Sequence, residues 1–318
     1  MGPISTIRFL SHAIASSRTR KDSPSLKMAE CPIGPTAYND SMRRPTKFAS
    51  EIHSVTSLAA YLRQIDEIRK HWKVKDGATS RGDEKGLWFR GQGDAMWGLT
   101  PSRWRKVYAE ENESEMRLAF ENAGRQLVAL DSQRDKWGWY FLMAHYGAPT
   151  RLLDWTANPL VALYFAVASA KPDIDAAVWI VDPWLWNKVH IPKLYGPALP
   201  GWEETEPYLW ELESAMDTDN KDTNRKWPIA IEPPHIDRRI TAQEGRFMLF
   251  GTAKDMVRST RVNPPARKPK ARLDKIVVAH SKTVTIRDEL HNVGVNQKSI
   301  FPDLSGLAQH ICWEYKAR

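Results

Sequence analysis

The chain has 318 residues, 42% of them hydrophobic, and a formal net charge of +8 at pH 7. It has no apolar run approaching the roughly 18 residues of a membrane span, and its two cysteines, Cys31 and Cys312, exclude a disulfide framework and a cysteine-based zinc site. We therefore expect a cytoplasmic protein with no membrane partner. The excess of Lys and Arg favours nucleic acid as a partner, although part of it lies in residues 18–21 and 258–275, which we expect to be solvated tails and loops.

Residues 1–50 contain scattered Ser, Pro, Lys and Arg with little hydrophobic periodicity. This composition predicts a disordered basic tail ahead of a domain over residues 51–318. The segment from Ile7 to Arg20 is basic, Ser-rich and free of acidic residues, which is weakly typical of a transit peptide. A start at Met28 is the alternative.

The rest of the chain alternates between the helical and the strand period. Predicted helices begin at Ser54 and cover 111–130, 137–145, 283–292 and 302–315, with a short one after Asp182; predicted strands cover 87–90, 176–181, 246–250 and 275–279. Residues 193–227 form a long excursion rich in Pro, Gly and Trp, which is typical of a lid or a binding loop. The pattern predicts a single mixed α+β domain, with a small central β core and helices packed around it.

A polar stretch from His145 to Thr156 precedes a buried helix that Asn158 caps and Pro159 begins. Because a helix N-terminus offers free N–H groups and a positive dipole, we predict an anion site there. His145 and Tyr146 are candidates for acid, base or stacking groups. Thr150 and Arg151 are candidates for ligand contacts, the alternative being that Arg151 pairs with Asp154 and fixes the loop.

Two further positions combine polar groups with a glycine. Arg90 ends a predicted strand and is followed by Gly91, so its guanidinium can bind a phosphate in bidentate fashion. The alternative is a structural salt bridge to Asp154. Gln243 and Glu244 precede a later strand; Glu244 can stabilise a positive charge, whereas Gln243 can only form hydrogen bonds. A tight turn is the alternative there.

These motifs resemble those of the FRG family, named for its Phe-Arg-Gly triplet. The resemblance covers roughly Ser54 to Trp313, and it rests on Phe89-Arg90-Gly91, Leu99 to Ser102, His145 to Ala166, Arg239 to Phe247 and Ile300 to Leu307.

The order of the polar elements in this family is in turn similar to that of the ADP-ribosyltransferases. That second resemblance implies an ADP-ribosyltransferase-like fold, NAD as substrate and no metal. It implies that Arg90 and Gly91 hold NAD and that the segment from Thr150 to Phe165, with Tyr164, shapes the nicotinamide pocket. It also implies that Glu244 or Gln243 is catalytic. The basic surface makes DNA or RNA the expected acceptor.

An enzyme of this kind fits a bacterial toxin or anti-phage effector, with an antitoxin or immunity protein as a partner. The competing interpretation is a non-catalytic module that binds a nucleotide or nucleic acid. A metal-independent nuclease with His145 as general base is a third. The sequence gives no indication of the oligomeric state.

Overall fold

The computed structural model describes residues 53–76, 86–105, 113–128, 135–191, 194–210, 227–234, 238–259 and 271–315, all within one compact unit. The predicted tail over 1–50, residues 193 and 211–226 of the excursion over 193–227, and most of the basic loop over 258–275 lie outside these residues. None of the described helices is both long and apolar enough to cross a bilayer.

Seven strands and a set of helices make up this unit. The strands are β1 (His53–Val55), β2 (Trp88–Gln92), β3 (Leu152–Thr156), β4 (Ala176–Val181), β5 (Ile229–Ile231), β6 (Gly245–Leu249) and β7 (Leu273–Val278). The helices are α1 (Leu58–Asp76), α2 (Glu113–Gly124), α3 (Lys136–His145), α4 (Pro159–Ala168), α5 (Pro183–His190), α6 (Glu206–Trp210), α7 (Arg238–Ala242), α8 (Met256–Ser259), α9 (Thr283–Asn292), α10 (Gln297–Ile300) and α11 (Leu304–Glu314). Ser102–Trp104 and His280–Lys282 form 3-10 turns.

The strands form one mixed sheet in the order β1-β7-β4-β2-β3-β6-β5. The β1–β7 pair is parallel and the other pairs are antiparallel. All six residues of β4 are buried, which agrees with its unbroken apolar sequence and its place between two other strands. The prediction of a single mixed α+β domain is confirmed.

Helix α4 packs on one face of the sheet and is fixed at its first turn. The Asn158 side chain accepts hydrogen bonds from Leu160 N and Val161 N, at 3.0 and 3.4 Å. Such a cap is worth about 1 kcal/mol. Helices α1 and α9 complete the apolar core on this face, and a second core rich in tryptophan covers the opposite face.

The sequence did not predict β3. Residues 152–156 were expected to belong to the polar loop before α4, but Leu152, Leu153 and Trp155 are buried and pair with β6. A five-residue strand that carries Asp and Thr has too few alternating apolar positions to be separated from a loop by its pattern. The polar stretch therefore crosses the middle of the sheet.

Candidate functional site

Arg90 lies where β2 and β3 separate. Among the described residues these two strands are paired at one position, Phe89 with Thr156, whereas β2 is paired with β4 along its whole length. Beyond that position, Arg90 Nη1 donates a hydrogen bond to the carbonyl oxygen of Asp154 over 2.6 Å. The guanidinium thus bridges two strands that have stopped pairing.

The carbon stem of Arg90 lies on the tryptophan-rich face of the sheet. Arg90 is opposite Trp179 on β4, and Trp179 is opposite Lys275 on β7, whose Nζ lies 5.1 Å from the indole centroid. On the other side, extending the Phe89–Thr156 register by one residue places Arg90 beside Trp155 of β3. Trp155 is in turn opposite Arg246 of β6. Both tryptophans are buried. They surround the stem with apolar groups while its charged end reaches the strand gap.

Asp154 lies on the face of the sheet that carries α4, and we call the exposed position above it, between α3 and α4, the cleft. Asp154 is in the middle of β3, yet its side chain is 73% exposed. On one side its β6 partner Phe247 is covered by Phe141 of α3, with the ring centroids 5.1 Å apart. On the other side α4 covers Gly91, where an added Cβ would lie 1.9 Å from Ala162 O. Arg90 Nη1 lies 3.8 Å from Asp154 Oδ2, so the guanidinium borders this cleft.

The end of β3 and the start of β6 meet in a hydrogen-bonded junction. Thr156 Oγ1 donates to Gln243 O over 2.6 Å, and Ala157 N donates to Glu244 O over 3.0 Å. The Glu244 carboxylate accepts a hydrogen bond of 3.0 Å from Asn158 Nδ2, so it lies at the N-terminus of α4. The structure therefore joins the polar stretch that ends at Thr156 and the Gln243–Glu244 segment at one end of the sheet.

The prediction that free N–H groups at this helix end bind an anion is wrong. Pro159 has no N–H, the Asn158 side chain accepts from Leu160 and Val161, and Ala162 N donates to Asn158 O. The nearby charge is the protein's own carboxylate, Glu244, which the helix dipole favours. A phosphate would instead have to bind to a side chain such as Arg90.

Glu244 has an unusual backbone conformation. Its φ is +46°, in the left-handed region that residues other than glycine seldom adopt, and its side chain is exposed. Such strain costs of the order of 1–3 kcal/mol and persists where the surrounding structure imposes it. Here the imposing contacts are the bonds from Ala157 to Glu244 and from Glu244 N to Thr241 O.

Strand β3 connects Arg90 with Glu244. Thr156 is opposite Phe89 on one side and opposite Gly245 on the other, so Arg90 and Glu244 each adjoin a partner of Thr156. Two strand spacings and two residues along the strands place their Cα atoms about 12 Å apart. Arg90 lies one residue past this row along β2, towards Asp154, and Glu244 lies one residue before it, at the end of the sheet where α4 begins.

Arg151 is buried in the interior, which corrects its prediction as a ligand contact. Its guanidinium is ion-paired with Glu113 and donates to the carbonyls of Phe250 (2.8 Å) and Tyr208. Burial opposes its charge, but Glu113 and Tyr140 outweigh that effect and the pKa of Arg151 is raised. It does not pair with Asp154, the alternative that the sequence left open, because residues three apart in an extended strand lie on opposite faces.

Three other predicted contacts also have partners within the protein. Thr150 is buried, with its N–H bonded to Ser102 Oγ at 3.1 Å. Tyr164 is buried in the core and its hydroxyl donates to Gln297; burial raises its pKa. Gly91 is required by the close approach of α4 described above. For Thr150 and Tyr164 the structure gives a packing role in place of the predicted ligand contact.

His145 and Tyr146 lie at the C-terminal end of α3, with their rings 5.1 Å apart. Tyr146 is 70% exposed, so its ring is available for stacking. The described residues contain no group of three or more His, Cys, Asp or Glu side chains placed to hold a metal ion.

The sequence did not predict where two residues of the candidate site lie. Asn158 was recognised as a helix cap but not as the partner of Glu244, and Asp154 was considered only as a partner for arginine. The contact between Asn158 and Glu244 spans 86 positions of the chain, so no local sequence pattern predicts it.

The FRG domain family model matches residues 85–174, from just before β2 to just before β4. The match includes Arg90, Asp154 and Asn158 and ends before Gln243 and Glu244. No curated protein and no solved structure matches the chain.

Proposed function

We propose that this chain, which carries an FRG domain, is an ADP-ribosyltransferase-like enzyme that uses NAD as substrate and nucleic acid as acceptor. The observation that supports it most is Glu244, an exposed carboxylate that is held at a helix N-terminus in a strained backbone conformation. Glu244 directly precedes β6, which lies two places from the strand of Arg90 in the sheet. An exposed residue held under strain is a candidate for chemistry.

Arg90 would bind the pyrophosphate of NAD. Its carbon stem lies among buried tryptophans and its Nη1 is fixed by Asp154 O, so little side-chain freedom is lost when an anion binds. A guanidinium matches the geometry of a phosphate better than an ammonium does. The estimated 12 Å between the two Cα atoms leaves room for a ligand that carries phosphates at one end and a ribose at the other.

Glu244 would act at that ribose. When the bond between the ribose and nicotinamide breaks, its electron pair leaves with nicotinamide and positive charge develops on the ribose carbon. A nucleophilic N or O atom of the nucleic acid then bonds to that carbon and releases its proton to water. A carboxylate close to that charge stabilises the transition state more than the ground state, which is the condition for raising the rate. Gln243 would contribute hydrogen bonds only, because its amide is neutral and its Nε2 already donates to Ile300 O at 3.2 Å.

The net charge of +8 supports a nucleic-acid acceptor. An enzyme of this type would suit a bacterial toxin or anti-phage effector held in check by an antitoxin or immunity protein.

The test is label transfer from NAD carrying a labelled adenylate group. Purified protein is incubated separately with DNA, RNA and cell-lysate protein, using the wild type, Glu244→Gln and a matched control, Glu67→Gln, which changes an exposed carboxylate on α1. We expect label on nucleic acid with the wild type and the control, and a large loss with Glu244→Gln.

Other outcomes contradict the proposal in distinguishable ways. NAD binding without transfer would support the non-catalytic binding module. Cleavage of nucleic acid without NAD, abolished by His145→Ala, would support the nuclease.

A further inference from the structure

We propose that Asp303 and Arg239 are positioning residues that hold the Gln243–Glu244 turn in its reactive conformation. The inference deepens the proposed function and rests on it. It gives a role to the motif from Ile300 to Leu307, which adds no group to the cleft.

The turn follows a helix that is too short to be stable alone. Helix α7 has five residues, far fewer than the roughly 12 that an isolated helix needs. Gln243 N donates to Arg239 O over 2.8 Å, and Glu244 N donates to Thr241 O over 3.1 Å. The conformation of Glu244 therefore depends on where α7 is held.

Arg239 fixes α7 to the C-terminal part of the domain. Its Nε donates to Asp303 Oδ2 over 2.7 Å, and its Nη2 donates to the same oxygen. The guanidinium carbon lies 5.4 Å from the ring centroid of Phe301. The arginine is thus held by a carboxylate and by an aromatic face.

Asp303 is itself fixed at the start of α11. Its other oxygen, Oδ1, accepts a hydrogen bond of 2.8 Å from Gly306 N, as an N-cap. An added Cβ at Gly306 would lie 2.0 Å from Phe301 O, so only glycine allows α11 to begin this close to Phe301. One carboxylate therefore connects two helices.

A second contact joins the same two segments. Gln243 Nε2 donates to Ile300 O, so the motif holds both the start of α7, through Arg239, and the residue before Glu244. A strained conformation persists only while such contacts impose it. Loss of the Arg239–Asp303 pair should let α7 shift and Glu244 relax.

The first test is a kinetic double-mutant cycle with Asp303→Asn, which keeps the side-chain shape and removes the charge. We expect kcat to fall on the order of ten-fold with little change in KM for NAD, because a small misplacement of a reacting group is costly and Arg90 is untouched. The Asp303→Asn/Glu244→Gln double variant should be no slower than Glu244→Gln alone. Glu314→Gln, which removes a carboxylate paired with His310 on the same helix, serves as the control and should keep wild-type kcat.

A purely structural role would lower the melting temperature and leave kcat of the folded enzyme unchanged, which would overturn the inference. The inference would also be overturned if the fold-losses in kcat of Asp303→Asn and Glu244→Gln multiplied in the double variant.

The second test does not depend on activity. Hydrogen exchange of the Gln243 and Glu244 amides should accelerate in Asp303→Asn and not in Glu314→Gln. If the wild type does not transfer ADP-ribose and exchange still accelerates, the proposed function fails and the structural coupling stands. Unchanged exchange would contradict the coupling itself.

Discussion

Arg90 Nη1 is bonded to the carbonyl oxygen of Asp154 at 2.6 Å and lies 3.8 Å from the Asp154 carboxylate. The main-chain contact is the stronger of the two, since the carboxylate is 73% exposed and an exposed ion pair contributes little. Removing the arginine would therefore leave no buried, unpaired carboxylate. A purely structural salt bridge between the two side chains does not account for this arginine.

The first prediction concerns Arg90→Ala. The variant should fold, losing about 1.5–3 kcal/mol of unfolding free energy for a hydrogen bond to a charged group, and should lose NAD binding. Arg90→Lys should bind weakly, because an ammonium keeps the charge without the bidentate geometry. Circular dichroism and calorimetry with NAD measure the two effects.

Arg125→Ala is the control for the loss of one positive charge, because Arg125 is an exposed surface residue on the segment after α2. It should bind NAD like the wild type. A folded Arg90→Ala variant with wild-type affinity would exclude Arg90 from the ligand site.

The second prediction is that Arg151, unlike Arg90, contributes to stability and not to ligand binding. Arg151→Ala should lose about 3–5 kcal/mol, because it removes the charged partner of the largely buried Glu113. Urea denaturation followed by tryptophan fluorescence measures this loss. If Arg151→Ala were as stable as the wild type, the buried network would not be a source of stability.

The comparison of Arg90 with Arg151 shows how much of the structure the sequence could predict. The α+β class, the buried strand at 176–181 and the helix over 283–292 follow from local apolar periodicity, and the structure reproduces them. The partners of Arg151 cannot be read locally, because Glu113 and Phe250 are 38 and 99 positions away. The contact between Asn158 and Glu244 could not be predicted either, because these residues are also far apart in the sequence.

The third prediction is a pH dependence that arises from Asp303. The Gly306 N–H and the Arg239 guanidinium lower the pKa of this carboxyl in the folded protein. Its contribution to stability is therefore fully present above the unfolded-state pKa of about 3.9 and is lost as the pH falls through the lower folded-state pKa.

Urea midpoints of the wild type and Asp303→Asn, measured at neutral pH and at a pH below that folded-state pKa, isolate this contribution from those of other carboxylates. The variant should be less stable than the wild type at neutral pH, and the gap should shrink in acid. A gap that is independent of pH would show that the carboxylate charge does not contribute.

The fourth prediction is that nucleic-acid binding weakens steeply with salt. Each phosphate contacted by Lys or Arg contributes about −0.9 to the slope of log K against log salt concentration on duplex DNA. Changing Arg267, Lys268 and Lys270 together to Gln should make the slope shallower, whereas changing Lys70 on α1 to Gln should not. Fluorescence anisotropy of a labelled duplex over a salt series gives the slopes. Binding that does not vary with salt would remove nucleic acid as the acceptor.

The fifth prediction separates the strain at Glu244 from its carboxylate. Alanine and glycine both remove the carboxylate, but only glycine adopts φ +46° without a steric penalty. Glu244→Gly should therefore be more stable than Glu244→Ala by about 1 kcal/mol, while the two variants lose turnover equally. The same pair of substitutions at Glu67, inside α1, should give the reverse order of stability by about 1 kcal/mol, because glycine is unfavourable within a helix. Thermal unfolding and NAD turnover of the four variants provide the comparison. If Glu244→Gly kept wild-type turnover, the role of Glu244 would be conformational and the carboxylate would not take part in the reaction.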